Sequence, residues 1–251
     1  MLQVNDLSIP VNTVSGLNEK EYREIKALIT MLDAISRLIY QGLYIIDFSK
    51  QNFLHVSGNP LFLCGHTSQE VKEMGYRFYF NHVTERELKM LKEIISAGFT
   101  IFNKIPDEEK INCTVSFDFH LVSGKKKILV NHRIAPILLT DDGKIRLAVC
   151  VVSFSSNHTS GNAVLRKNGN SAYWKYSLKS HMWEENKEII LNEREKDILH
   201  LSTQGYSMDE IAEKICISLD TVKFHKKNIF EKLQVKNIVK AIIFAANYKL
   251  L

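Results

Sequence analysis

The sequence predicts an α+β chain, in which an antiparallel sheet with helices is followed by an all-α domain of four helices. Three observations favour this fold class. Residues 41–156 contain apolar runs of strand length on both sides of a helical stretch. Residues 188–251 contain helix-capping residues at intervals and no alternating strand pattern. A chain of 251 residues is also long enough to bury more than one core.

The composition is typical of a soluble globular protein, because 45% of the residues are hydrophobic and 24% are charged. The net charge of +5 is too small to indicate a nucleic-acid partner by itself. No apolar run approaches the roughly 18 residues that a membrane span requires, and the N-terminus lacks the regions of a signal peptide. We therefore expect a cytoplasmic protein without a membrane partner.

The cysteines form no Cys-x-x-Cys pair; they are Cys64, Cys113, Cys150 and Cys216. This spacing argues against a zinc site and a disulfide framework, so we expect reduced thiols and no bound metal. A nucleophile elbow and a glycine-rich phosphate loop are also absent from the sequence. The N-terminal half lacks the strand–helix alternation and the early acidic cluster of a phospho-receiver domain. We therefore expect neither an enzyme nor an ordinary response regulator.

An amphipathic helix is predicted at residues 17–40, since apolar residues recur there at helical spacing. Asn18 and Glu21 are placed to form a capping box at its start. We assign residues 1–40 to an N-terminal helical segment. Such a helix docks on the following domain or pairs with its copy in a dimer, and the sequence does not choose between these alternatives.

Residues 41–156 are assigned to one domain, with strands before and after a helical stretch. The predicted strands are residues 42–48, 52–57, 111–121, 127–139 and 145–154. Between the second and third strands, a long helix is predicted to start at a capping box of Thr84 and Glu87 and to end near Gly98.

This order of two strands, helices and three strands resembles that of a PAS domain. Residues 81–88 also resemble the stretch that precedes the long PAS helix, although they lack its Pro and Asp residues. The resemblance implies a module that senses a small-molecule ligand or mediates dimerisation. Aromatic residues of this region either line a pocket or pack in the core; they are Tyr76, Phe78, Tyr79, Phe80, Phe99 and Phe102.

Two cofactors are considered for the PAS-like domain. A flavin photoreceptor requires a cysteine in an Asn-Cys-Arg-Phe-like loop, and the surroundings of Cys64 do not match that loop. A haem would need an axial ligand such as His55, His66 or His82. Because scattered histidines are more typical of surface or hydrogen-bonded core positions, we expect no bound cofactor.

A polar, turn-rich stretch at residues 155–162 predicts a linker. A β-hairpin is predicted after it, with strand-like runs on both sides of an Asn168–Gly169 turn signal. We assign residues 157–187 to a linker that carries this hairpin. Trp174 and Trp183 are placed to pack the hairpin on either domain, where it either transmits a change of state or only shields a sheet edge.

Capping signals divide residues 188–251 into helices. Asn192 with Glu195 starts the first helix, and Ser207 and Ser218 start the second and third. Only a three- to four-residue turn separates the second helix from the third, which is the spacing of a helix-turn-helix.

The third helix carries its charge on one side. Its core-facing residues are Val222, Ile229 and Leu233. This pattern leaves Lys223, Lys226 and Lys227 on the outward side, close to the positive N-terminal end of the helix dipole. The arrangement predicts a helix that enters a DNA groove.

Hallmark residues occur through this region in a fixed order: 191–195, Gly205, 210–212, 217–218, 221–223, His225, 228–229 and 232–233. Together they resemble the LuxR-type, or NarL/FixJ-type, DNA-binding domain. Two positions depart from the family pattern. Gln234 replaces the usual Gly, which indicates a differently shaped turn before the fourth helix, and Phe224 is larger than the usual residue.

The resemblance implies which residues contact double-stranded DNA. Those expected to face the major groove are Lys223, Phe224 and Lys227. Those expected to contact the phosphate backbone are Ser218, Thr221 and Lys226. Phe224 packs against a thymine methyl or covers apolar surface. His225 is expected to brace the helix or to contact phosphate.

The sequence therefore predicts a sequence-specific transcriptional regulator that acts as a homodimer and has a PAS-like sensing or dimerisation domain. One alternative is an interaction protein whose C-terminal domain docks on the transcription machinery, with RNA polymerase as the partner. A further alternative is a ligand receptor whose DNA-binding domain is degenerate.

Overall fold

The computed structural model describes residues 12, 14–16, 19–168, 172–187, 189–248 and 250. These residues divide into two compact units. The first unit draws on Met1–Phe154 and Thr159–Asn186, and the second on Ser155–His158 and Lys187–Leu251. The predicted fold class is confirmed, because an antiparallel sheet with helices is followed by a helical domain.

The first unit contains the following elements in chain order: α1 (Glu19–Ser36), β1 (Gly42–Asp47), β2 (Asn52–Val56), α2 (Pro60–Leu63), α3 (Ser68–Met74), α4 (Arg77–His82), α5 (Glu85–Phe102), α6 (Asp107–Lys110), β3 (Cys113–Ser123), β4 (Lys126–Leu139), β5 (Ile145–Phe154), β6 (Gly161–Lys167), β7 (Ala172–Ser177) and β8 (Met182–Lys187). The strands form one sheet in the order β2-β1-β5-β4-β3-β6-β7-β8. Neighbouring strands from β2 to β7 pair antiparallel.

The sheet buries side chains on both faces. On β1, Tyr44 and Ile46 belong to the main core, which α5 covers, whereas Ile45 between them packs with Ile25 of α1 and Leu147. Successive side chains of a strand point to opposite faces, so α1 and α5 cover opposite faces of the sheet. The predicted first helix is therefore docked on its own domain, and it ends at Ser36 rather than at residue 40. The predicted cap residue Asn18 lies outside the described residues.

The long helix α5 differs from its prediction at both ends. Thr84 occupies the N-cap position, but its side chain makes no capping hydrogen bond. The expected partner Glu87 instead accepts hydrogen bonds from the backbone N–H and the Nδ1 atom of His120 on β3, at 3.0 and 2.6 Å. The helix also continues through Gly98 to Phe102, because a glycine weakens a helix without ending one that tertiary packing supports.

The segment at residues 157–187 differs from the predicted linker, because most of it belongs to the sheet. β6 pairs with β3, β7 pairs with β6, and β8 lies next to β7. Trp183 on β8 donates a hydrogen bond from Nε1 to the Ala97 carbonyl of α5 at 3.1 Å. The hairpin therefore packs within the first unit, while Gly169 of its predicted turn lies outside the described residues.

The second unit contains α7 (Glu193–Thr203), α8 (Met208–Lys214), α9 (Leu219–Leu233) and α10 (Ile238–Tyr248). Its core is formed mainly by aliphatic residues of all four helices, among them Ile198, Ile211, Ile229 and Ala241. Capping boxes start α7 and α8, and the Ser218 hydroxyl accepts a hydrogen bond from the Thr221 N–H at the start of α9. These starts confirm the predicted caps.

Two short turns in this unit use left-handed backbone. Cys216, between α8 and α9, has φ of +53°, and Gln234, after α9, has φ of +54°. Gln234 thus adopts the conformation that a glycine at this place adopts without strain. The Gln234 N–H bonds to the Phe230 and Glu231 carbonyls as a helix C-cap does, and a turn shaped differently from that of the family stays a prediction.

No helix in the described part of the chain is long and apolar enough to cross a membrane.

Candidate nucleic-acid interface and buried cavity

The outer face of α9 carries exposed cationic side chains. Val222 and Ile229 are fully buried on the inner side, which orients the helix. Lys223 and Lys227 are exposed on the other side, and Phe224 between them is 60% exposed. The structure therefore brings together the three residues predicted to face a major groove.

Both exposed lysines form ion pairs within their own helix. Lys223 lies 3.1 Å from Asp220, and Lys227 lies 3.7 Å from Glu231. Exposed pairs of this kind contribute at most about 1 kcal/mol and weaken with salt. The lysines are therefore available to exchange these carboxylates for another anion.

The residues predicted to contact phosphate differ in their exposure and in their local partners. The hydroxyl groups of Ser218 and Thr221 lie 2.8 Å apart, and Ser218 also caps the helix, so both hydroxyls already have local partners. Lys226 is half-buried and lies over the Phe230 ring at 5.9 Å. The phosphate contacts stay predictions.

His225 points partly into the second unit. Its ring packs against Phe224, and its Nδ1 atom is buried without a hydrogen-bond partner among the described residues. This placement supports the bracing role over base contact.

An ion pair between a buried glutamate and a partly exposed lysine fixes the C-terminal part of α9 to α7. The Glu195 side chain is 1% exposed, and its Oε2 atom lies 2.7 Å from Nζ of Lys232. The same oxygen accepts the Asn192 N–H at 2.8 Å and closes the capping box of α7. One carboxylate therefore joins the start of α7 to the lysine-bearing helix.

The first unit contains a cavity of about 110 Å³ between the sheet and α5. It is lined mainly by apolar and aromatic side chains, including Tyr79, Phe99, Phe102, Phe119 and Ile134. The lining includes no Asp, Glu, Lys or Arg among the described residues. An apolar lining of this kind disfavours an ionised ligand, because an unpaired charge loses part of its hydration there.

Two polar residues of the lining, Tyr79 and His132, are joined through the hydroxyl of Tyr44, which lies behind the cavity wall. The Tyr44 hydroxyl hydrogen-bonds to the Tyr79 hydroxyl and to Nε2 of His132. Burial lowers the pKa of His132 to about 3, so its imidazole is neutral at physiological pH. Burial also raises the pKa values of Tyr44 and Tyr79 well above the ordinary value of a tyrosine. The network is therefore neutral.

His132 has one further polar atom. Its Nδ1 atom is buried without a hydrogen-bond partner among the described residues, while its ring lines the cavity. A buried polar atom without a partner is costly and often marks a place for a ligand or a water molecule.

The histidines considered as haem ligands lie close to other polar side chains. His55 Nε2 lies 3.1 Å from the Asp33 carboxylate of α1, and His66 Nε2 lies 3.0 Å from Nε2 of His82. Among the described residues, no group of three or more His, Cys, Asp or Glu side chains is arranged to hold a metal ion.

Comparison with known protein families gives a match within the second unit. Residues 190–245 match the family of bacterial regulatory proteins described as the luxR family. The matched residues contain α7, α8 and α9 and most of α10. The residues before 190 lie outside this match.

Curated relatives match a part of the chain of similar length. The response regulator protein VraR of Staphylococcus aureus is 44% identical over 62 residues, which are 25% of this chain and 30% of that protein. VraR of Staphylococcus epidermidis matches with the same values. The chain thus spans under a third of the length of the curated relatives that it matches.

Solved structures resemble a larger part of the chain only weakly. A complex of phage VqmA with DPO covers 92% of each chain, with 13% identity and a TM-score of 0.33. A Vibrio cholerae VqmA dimer covers 88% of each chain, with 13% identity and a TM-score of 0.29. Scores this low establish no relationship for the first unit.

Sequence reasoning found the exposed face of the LuxR-family domain but missed the polar part of the cavity. Four of the predicted aromatics line the cavity, namely Tyr76, Tyr79, Phe99 and Phe102, whereas Phe78 and Phe80 do not. His132 was not predicted, because the alternation of β4 does not distinguish a cavity wall from a packed core. The sequence offered one signal for this residue, namely a histidine at a core-facing position of a strand.

Proposed function

We propose that the protein is a sequence-specific, DNA-binding transcriptional regulator, and not an enzyme, whose first unit is a PAS-like domain that binds a small ligand. The observation that carries the proposal is the exposed face of α9, where Lys223, Phe224 and Lys227 lie together at the end of a helix-turn-helix. The match of residues 190–245 to the luxR family supports it. Such a protein acts in the cytoplasm.

The α9 face has the chemistry for a duplex. Lysines attract phosphate, and counterion release makes their contribution depend steeply on salt. An exposed phenylalanine between two lysines offers an apolar contact for a thymine methyl in the major groove. The start of α9 also presents the positive end of its dipole.

We further propose that the regulator binds as a homodimer. A two-fold dimer places two recognition helices about 34 Å apart, one turn of duplex, so that each reads half of an inverted repeat. Apolar side chains of α1 that do not face the sheet support this assembly. Met31 is 53% exposed and Ile35 is 37% exposed, and Leu38 just after the helix is 84% exposed.

The strand order supports the PAS-like assignment of the first unit. Within the larger sheet, five neighbouring strands follow the order β2-β1-β5-β4-β3. Along the chain, these are two strands, then a run of helices, then three strands, as expected from the sequence. The neutral, mainly apolar cavity indicates the ligand class: a small uncharged molecule with one ring and one polar group, which hydrogen-bonds to His132 or Tyr79. A cavity of comparable volume, about 150 Å³, accommodates benzene.

The DNA-binding proposal is tested by selection of bound fragments from sheared genomic DNA. The wild-type chain, Lys223→Ala/Lys227→Ala and Lys196→Ala are compared. Lys196 is the matched control, because it forms a similar exposed ion pair with Glu193, at 2.9 Å, on α7 instead of α9. We expect the wild type and the control to enrich one inverted repeat.

On that repeat, the double variant should bind at least about ten-fold more weakly, because a base contact of this kind contributes roughly 1–3 kcal/mol. The dependence of log K on log salt should also become shallower, by about 0.9 for each phosphate that the variant no longer neutralises. Equal affinity of the double variant and the wild type would exclude this docking. If the wild type enriches nothing while RNA polymerase retains the protein, the C-terminal domain is an interaction module.

The ligand proposal is tested by filling the cavity. Gly98 lies on the cavity wall, and a Cβ atom placed there meets nothing within 4 Å. Gly98→Leu should therefore occupy the space without distorting α5, since leucine also favours a helix by roughly 0.5–1 kcal/mol over glycine. Phenol, a one-ring neutral probe, should raise the calorimetric unfolding temperature of the wild type and leave that of the variant unchanged. Equal shifts in both proteins would contradict a ligand cavity.

A further inference from the structure

Two histidines of the first unit meet at the edge of its main core. His66 lies in the loop between α2 and α3, and His82 is the last residue of α4. Their Nε2 atoms are 3.0 Å apart, and both side chains are half-buried. Because a neutral imidazole has one N–H donor and one acceptor nitrogen, this contact requires a defined pair of tautomers.

The backbone decides which tautomer His82 adopts. Nδ1 of His82 lies 2.7 Å from the Val122 carbonyl oxygen of β3. A carbonyl oxygen only accepts, so Nδ1 of His82 carries the hydrogen and its Nε2 atom has a free lone pair. His66 therefore donates its Nε2–H to that lone pair. A histidine held by an Nδ1–H to carbonyl bond, with Nε2 directed at a second nitrogen, has the support that metal-ligating histidines have in proteins.

We propose that His66 and His82 are the two protein ligands of a site for one divalent transition-metal ion. The ion replaces the hydrogen bond between the two Nε2 atoms, and each ring turns so that its lone pair meets the ion beside the line that joins them. His66 moves its ring hydrogen to Nδ1, so both imidazoles stay neutral and no proton is released overall. Imidazole nitrogen suits Ni²⁺, Cu²⁺ and Zn²⁺, and excludes Mg²⁺, which prefers oxygen ligands.

The separation of the two nitrogens indicates the preferred ion. At metal–nitrogen distances of about 2.0–2.1 Å, nitrogens 3.0 Å apart subtend an angle of about 90° at the metal. That angle fits two adjacent positions of an octahedral or square-planar ion, whereas a tetrahedral ion needs a separation of about 3.4 Å. Ni²⁺ therefore fits this nitrogen separation, whereas Zn²⁺ requires the two nitrogens to move apart.

Water supplies the remaining ligands. The Glu70 carboxylate is held by the backbone N–H and the hydroxyl of Thr67, at 2.7 and 2.8 Å, which closes the capping box of α3. Its negative charge near His66 favours a cation without direct coordination.

The bound ion would join the loop before α3 to the end of α4, close to the cavity wall. The His82 ring lies 4.8 Å from the Phe78 ring, which lies 5.8 Å from the ring of Tyr79. Tyr79 lines the cavity. A metal ion at this pair therefore stabilises the helix that carries one polar group of the cavity.

The test is isothermal titration of the full, tag-free chain, freed of metal by a chelator, with NiCl2, ZnCl2 and MgCl2. We expect one Ni²⁺ per chain, weaker binding of Zn²⁺ and none of Mg²⁺. His66→Gln and His82→Gln should each bind Ni²⁺ at least ten-fold more weakly. His158→Gln is the matched control, because His158 is exposed and far from this pair in sequence, and it should bind like the wild type.

His66→Gln is the decisive variant, since it leaves the bond from His82 to Val122 in place and is therefore expected to fold. Unchanged Ni²⁺ affinity in His66→Gln, or no saturable Ni²⁺ binding by the wild type, would overturn the site. Tighter binding of Zn²⁺ than of Ni²⁺ would overturn the 90° geometry. The outcome does not depend on DNA binding or on a ligand in the cavity.

Discussion

The two units hold their candidate functional groups in opposite environments. In the first unit, Tyr79 and His132 lie inside the core, where burial fixes both as neutral groups. In the second unit, Lys223 and Lys227 lie on the surface of a packed aliphatic core. Substitutions in the cavity therefore change binding and stability together, whereas substitutions on α9 change binding alone. Trp174 and Trp183, the two tryptophans of the chain, lie in the first unit, so their fluorescence follows that unit separately.

The largest effect is expected where the second unit breaks this rule, at the ion pair between buried Glu195 and partly exposed Lys232. Lys232→Met leaves the Glu195 carboxylate, whose side chain is 1% exposed, without its cation, although the Lys232 side chain is 39% exposed. A buried charge left without its partner is strongly destabilising and the exposure of the lysine reduces the cost, so we expect a loss of about 2–3 kcal/mol in the free energy of unfolding. Urea unfolding followed by helical circular dichroism measures it, while the tryptophan transition should not move.

Two controls separate the buried charge from the loss of a lysine. Lys196→Met removes an exposed pair and should change stability by less than about 1 kcal/mol. Lys232→Met/Glu195→Gln should recover part of the loss, because glutamine still accepts the Asn192 N–H and carries no charge. A double variant as unstable as Lys232→Met would show that the lost packing of the lysine stem, and not the charge, is responsible.

The second-largest effect is a dependence of stability on pH, and it is expected in the first unit, where His132 is neutral. Its pKa is about 3 in the folded chain, below the ordinary value of a histidine of about 6.5. Between these values the unfolded chain binds a proton that the folded chain does not, so stability falls as the pH falls. Burial also lowers the pKa of His55, which acts in the same direction.

From His132 alone we expect a loss of about 2 kcal/mol between pH 7 and pH 5, at about 1.4 kcal/mol per unit below pH 6.5. Its buried neighbours Tyr44 and Tyr79 stay protonated throughout, since their pKa values are raised. Urea unfolding followed by tryptophan fluorescence at several pH values measures the slope. His132→Gln should reduce it, and an unchanged slope would assign the loss to other groups.

Local signals predicted much of the second unit and only part of the first. The helices of the second unit start at short motifs, such as Asn192 with Glu195, whose partners lie within one turn. The strands of the first unit were also readable, since alternation and turn residues are local. The family resemblance then placed Lys223 and Lys227, because one helix carries both.

The polar network beside the cavity was not predictable in this way, because its groups come from separate elements. Tyr44 on β1, Tyr79 on α4 and His132 on β4 meet only through the fold. The same reason explains the missed role of β6, whose partner β3 precedes it by a long stretch of chain. Lys223 and Lys227 are exposed on α9, as expected, but their pairing with Asp220 and Glu231 was not foreseen.

The smallest effect is expected at the helix caps, where the same capping-box signal occurs in both units. Thr84 with Glu87 and Ser207 with Glu210 have the same capping-box spacing, but only Ser207 accepts a capping hydrogen bond. Ser207→Ala should therefore cost about 1 kcal/mol of stability, as the loss of a cap does. Thr84→Ala should cost no more than a few tenths of a kcal/mol, because its N-cap side chain has no capping bond to lose.

Circular dichroism measures the first variant and tryptophan fluorescence the second, each in urea. Ser207→Asp is the matched control, since aspartate also accepts the Glu210 N–H and should keep most of the stability. Glu87 distinguishes the two sites further. Glu87→Gln loses the charged partner of His120 on β3 and should destabilise the first unit more than Thr84→Ala does. Equal losses of stability in Thr84→Ala and Ser207→Ala would mean that the Thr84 side chain caps α5 in solution. The capping-box pattern would then be the correct description of this helix start, and the structure would not.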